Sequence, residues 1–135
     1  MGFPKQPIEL NLSNYNQYIP LNIIAFSFAS GGAQGEPGGV IIINDEGQIF
    51  HFNYVEGDIK KPKDVYLVCP PIKEKLTGIV QSQGEWNEIN MGMGNSLIVN
   101  ISIYEKVKAK IKELGISNGA LYQRWMEIVL EMIEK

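Results

Sequence analysis

The chain has 135 residues, is 44% apolar and 20% charged, and carries a formal net charge of −3. That size and composition are ordinary for one globular domain, and the mild acidity weighs against polyanion binding. Its single cysteine, Cys69, excludes an intrachain disulfide and favours a reducing compartment.

Residues 1–20 are polar and rich in Asn and Pro, as for an arm or an edge strand ending at Pro20. Residues 1–10 hold Pro4, Pro7 and Glu9 with no apolar h-region, so no secretory signal is expected. Gln6 stands where a myristoylation motif needs Ser or Thr. No stretch reaches the ~18 uninterrupted apolar residues of a spanning helix. A cytoplasmic location, away from membranes, is therefore expected.

Residues 21–29 and 40–43 are almost continuously apolar, the pattern of strands covered on both faces. Between them lies Ser30-Gly31-Gly32-Ala33-Gln34-Gly35-Glu36-Pro37-Gly38. Glycine loses much backbone entropy on folding, so this density implies unusual dihedrals or close approach to another surface. Only Gln34 and Glu36 carry long polar groups, and Pro37 biases Glu36 towards extended backbone. Asn44-Asp45-Glu46-Gly47 predicts a tight turn with Gly47 left-handed. Residues 48–55 then alternate, with Phe50, Phe52 and Tyr54 on one face and His51 and Asn53 on the other.

Residues 1–59 hold six carboxylates and one lysine, whereas residues 60–75 hold five lysines and two carboxylates. Residues 65–69 predict a strand stopped by Pro70-Pro71, and residues 72–80 read ambiguously, as a helical turn and a short strand. Residues 86–91 predict another strand, leading into the glycine-rich Met91-Gly92-Met93-Gly94-Asn95, where Asn95 suits a positive φ. The last strand is expected over residues 97–101.

Two helices close the chain. Ser102 and Glu105 form a capping-box pattern that would start the first helix near Ile103. Tyr104, Val107, Ile111 and Leu114 recur at helical spacing, and Gly115 is placed to end that helix. Ser117 or Asn118 would cap the second. There Leu121, Trp125, Ile128 and Met132 form one apolar stripe, and Tyr122, Met126, Val129 and Ile133 a second. So wide an arc should touch the sheet and either the first helix or a second copy of the chain. The expected fold is α+β: one domain over residues 1–135, with a mainly antiparallel sheet over 21–101 and a helical hairpin over 102–135 packed on one face.

The chemical motifs are weak. No lysine lies in residues 30–39, as a P-loop would require, and Gly92-x-Gly94 lacks the third glycine of a dinucleotide fingerprint. One His and one Cys are too few for a zinc site of the usual kind. His51 and Cys69 could pair for nucleophilic chemistry. Glu36, Asp45, Glu46, Glu56 and Asp58 could hide a carboxylate pair, but a strand-face histidine, a buried thiol and solvated turn acids explain them more simply. No catalytic residue, metal or cofactor is expected.

Residues 113–125, Glu-Leu-Gly-Ile-Ser-Asn-Gly-Ala-Leu-Tyr-Gln-Arg-Trp, resemble the helix-turn-helix of bacterial repressors. DNA binding through residues 107–126 is thus the sharpest rival reading. Ile111 stands where that motif wants a small residue, Arg124 where it wants an apolar one, and Glu127, Glu131 and Glu134 would repel phosphates.

The run Phe26-Ser27-Phe28-Ala29-Ser30-Gly31-Gly32-Ala33-Gln34-Gly35-Glu36-Pro37-Gly38-Gly39 resembles a segment of small bacterial immunity proteins. Those proteins are the cognate inhibitors of polymorphic and contact-dependent growth inhibition toxins. Trp86-Asn87-Glu88-Ile89 and Gly92-Met93-Gly94-Asn95-Ser96-Leu97 add to the likeness. The resemblance implies a stoichiometric protein binder that occludes a toxin's active site without catalysis. Gln34, Glu36, His51, Trp86 and Asn95 are the candidate contact residues. A homodimer through the last helix is the structural alternative.

Overall fold

The computed structural model describes residues 7–10, 17, 22–29, 39–53, 74, 76–92 and 95–133. The strand expected over 65–69, Cys69 and the segment 30–38, with Gln34 and Glu36, lie outside them. The described strands are β1 (Ile8–Leu10), β2 (Ile23–Ala29), β3 (Gly39–Asn44), β4 (Ile49–Asn53), β5 (Trp86–Gly92) and β6 (Asn95–Asn100). Helical residues 74 and 76–82 form α1, followed by α2 (Ile101–Leu114) and α3 (Asn118–Ile133).

The fold is α+β, built on one six-stranded sheet ordered β1-β4-β3-β2-β6-β5. Only the β1–β4 pair is parallel. The meander β2-β3-β4 follows from its turn chemistry. Asn44 accepts at Oδ1 from the backbone N–H groups of Glu46 and Gln48, and Gly47 takes φ 78°. Only a residue without Cβ adopts that conformation without strain.

Both faces of the central strands are buried, as their almost continuously apolar runs require. On one face Ala25, Ile43, Leu97, Val99 and Met91 join Val107 of α2 and Leu121, Trp125, Ile128, Val129 and Leu130 of α3. On the other, Phe26, Val40, Ile42 and Phe50 join Leu10 and Leu76, the latter from α1. The two C-terminal helices therefore share one face, and the short helix α1 covers the other. A bulge at Ile23–Ala25 turns Ile23 and Ala25 to opposite faces, each into its own cluster.

Three local expectations are corrected. Residues 76–82 are one continuous helix, not a helical turn followed by a strand, because Leu76, Ile79 and Val80 recur at helical spacing over the sheet. Helix α2 starts at Ile101, two residues early, and its cap is Asn100. The last residue of β6 is already extended, and its Oδ1 accepts from Ser102 N–H at 2.9 Å while Nδ2 donates to the Gln83 carbonyl. Among the described residues the asparagine at positive φ is Asn22, at 55°, and Asn95 instead pairs with Gly92 as a strand residue.

Asn100 therefore ties α2 to the turn between α1 and β5. Asn100→Ala is expected to cost about 1–2 kcal/mol, the loss of a helix cap and of the bond to a half-buried carbonyl. Urea unfolding would measure it, and a loss below about 0.3 kcal/mol would show that water replaces both bonds.

Gly115 ends α2 at φ 64°, its N–H donating to the Ile111 and Lys112 carbonyls. Ser117 caps α3: its hydroxyl accepts from Ala120 N–H and its carbonyl from Leu121 N–H. The first stripe of α3 is buried or half-buried throughout, whereas the second grades from Val129, fully buried, to Tyr122, 42% exposed. Lys110 reaches Glu131 at 3.4 Å and joins the two helices.

Candidate protein-binding surface

Register places five strand ends together. Ala29 closes β2, Gly39 opens β3, Asn53 closes β4, Gly92 closes β5 and Asn95 opens β6. Because β2 pairs with both β3 and β6, the segments 30–38 and 93–94 leave the sheet from adjoining strands at the same end. The two glycine-rich stretches, 60 residues apart in the chain, thus share one rim. Gly92 makes the last turn of β5 at φ 82°, its N–H donating to Asn90 Oδ1 at 2.7 Å.

His51 lies near this rim on the α2/α3 face, in the row Leu97–Ser27–Ile41–His51–Glu9. Its Nδ1 approaches Glu9 Oε2 at 3.2 Å, so the ring donates to the carboxylate across the β1–β4 pair. Nothing in the polar N-terminal arm singled out Glu9. Only the parallel pairing of β1 with β4 brings the two together. Ser27 shares the row and is buried, but β3 separates it from His51, about 10 Å away at normal strand spacing. The two cannot exchange a proton directly. Asp45 and Glu46 sit on the β3–β4 turn, at the other end of the sheet. Among the described residues no group of three or more His, Cys, Asp or Glu side chains gathers in metal-binding geometry.

Asn95 is half-buried on the same rim, three strands from His51 and two residues further along, about 16 Å away. Trp86 stands apart from both. It opens β5 opposite Asn100, about 17 Å along the sheet from Asn95, and packs on the α1 face. Its Nε1 donates to the Val80 carbonyl at 2.9 Å, and its ring lies 5.9 Å from Phe26 at 57°. That indole is held within the chain, clamping α1 onto the sheet. Gln34 and Glu36 are outside the described residues.

The residues of the helix-turn-helix resemblance form α2, a three-residue turn and α3. On the exposed side of α3, Arg124 sits 3.6 Å from Glu127, which offsets the charge a phosphate would need. The surface also shows Tyr122, Gln123, Gly119 and Ala120. Among the described residues no helix is long and apolar enough to cross a membrane.

No protein-family model, curated protein or solved structure significantly matches this chain.

Proposed function

We propose that this protein is a cytoplasmic protein-binding module, an immunity-type inhibitor that occludes a cognate bacterial toxin. The observation that carries the reading is the common rim. Two glycine-rich connections, 30–38 and 93–94, are anchored side by side on a sheet packed on both faces. Glycine-rich connections with few bulky side chains allow a partner's backbone to come close. Anchors buried on both faces limit the ordering cost of association. In this reading Asn95 and the His51–Glu9 pair border the contact area, and Gln34 and Glu36 supply its long polar groups.

The test is an affinity pull-down with the toxin-domain product of the adjacent gene. Retention at micromolar concentration, weakened about tenfold by joint Glu36→Lys and Asn95→Lys changes, is the expected result. Circular dichroism should show the fold of that variant unchanged. Loss of retention with both residues native would remove the toxin reading, and retention indifferent to the double change would move the contact off this rim.

A further inference from the structure

Among the described residues, β1 and β5 flank the sheet on its two sides. The described part of β1 spans three residues. β5 runs for seven residues, holds neither lysine nor proline, and exposes Asn87, Glu88 and Asn90. Its hydrogen-bonding phase can be read from its root. Ile101 N–H donates to the Glu85 carbonyl at 2.9 Å, directly continuing the Trp86↔Asn100 register. Glu85, Asn87 and Ile89 therefore turn their backbone groups towards β6. Those of Trp86, Glu88 and Asn90 point away from the sheet.

We infer that this outward ladder pairs with β5 of a second copy of the chain, antiparallel about a two-fold axis at Ile89. Only like-phased residues can exchange backbone bonds across the axis. This register sets Glu88 opposite the second copy's Asn90, and Asn90 opposite its Glu88, giving two ladder pairs. Asn90 Oδ1 already accepts from Gly92 N–H, which leaves Nδ2 to donate to the facing carboxylate. Ile89, half-buried against the helix-side core, meets its own copy at the close, non-hydrogen-bonded position and is covered further. Shifting the axis to Glu88 would oppose two carboxylates. Shifting it to Asn87 would set Ile89 against Glu85. The Ile89 axis joins polar complementarity to apolar contact.

Sedimentation equilibrium over a concentration series tests this. The wild type should dimerise reversibly. Asn90→Lys, placing a cation opposite each Glu88, should tighten the dimer about fivefold, and Asn90→Glu should loosen it by a similar factor. The double change Glu88→Lys with Asn90→Glu should restore it. Glu88→Pro removes an outward N–H that the monomer's ladder does not use, so it should abolish dimerisation while the melting temperature stays near wild type. If the proline variant misfolds, the charge series decides alone. A wild type and Asn90→Lys variant that both stay monomeric at several hundred micromolar would overturn the inference. So would a dimer indifferent to the charge series. Failure of the toxin pull-down leaves these outcomes unchanged.

Discussion

Replacing Trp125 by alanine should destabilise the protein by about 3–5 kcal/mol, the usual cost of removing a large buried aromatic side chain. Trp125 is 3% exposed and lies in the cluster that joins α3 to Val107 of α2 and to Met91 of β5. A domain of this size is stable by only about 5–15 kcal/mol. The variant should therefore unfold at a much lower urea concentration, or not fold at all. Trp125→Phe, keeping most of the ring, gives the graded measurement. The same substitution tests the alternative of a dimer through the last helix. A Trp125→Ala chain that keeps its stability but changes its sedimenting mass would mean that this side chain belongs to an interface and not to the core.

The second large effect belongs to the other face. Phe26 is 6% exposed, and its ring meets that of Trp86 beneath α1. Phe26→Ala should cost about 3–5 kcal/mol by the same cavity argument. It also removes a neighbour of the indole whose N–H holds the Val80 carbonyl. In a Trp125→Phe background, Trp86 is the sole tryptophan, so its emission should shift to the red as water reaches it. Stability lost with no spectral change would mean that α1 remains docked without Phe26. An unchanged stability would show that the second cluster contributes little.

Much of this architecture was legible in the residues. The almost continuously apolar runs of β2 and β3 required cover on both sides, and the structure supplies it with α2 and α3 on one face and α1 on the other. Gly47 and Gly115 stand at their left-handed positions because no other residue adopts them so cheaply. The helical spacing in α2 and α3 likewise marked their buried sides, although Leu130, fully buried, belonged to neither expected stripe.

Other features were ambiguous for identifiable reasons. The helical stretch ending at Ser82 is short, and the β-branched Ile79 and Val80 suit a strand equally well. Ser102 and Glu105 fit a capping box. Asn100 took the role because β6 delivered it already extended, beside the Gln83 carbonyl.

Local chemistry thus specified the class of fold, the turns and the inward faces, since each depends on periodicity or on a single residue's dihedral preference. Strand order depended on which distant segments bury one another's apolar faces, and no local pattern encodes that choice. The pairing of β2 with β6, the shared rim of the two glycine-rich connections and the meeting of His51 with Glu9 all come from it.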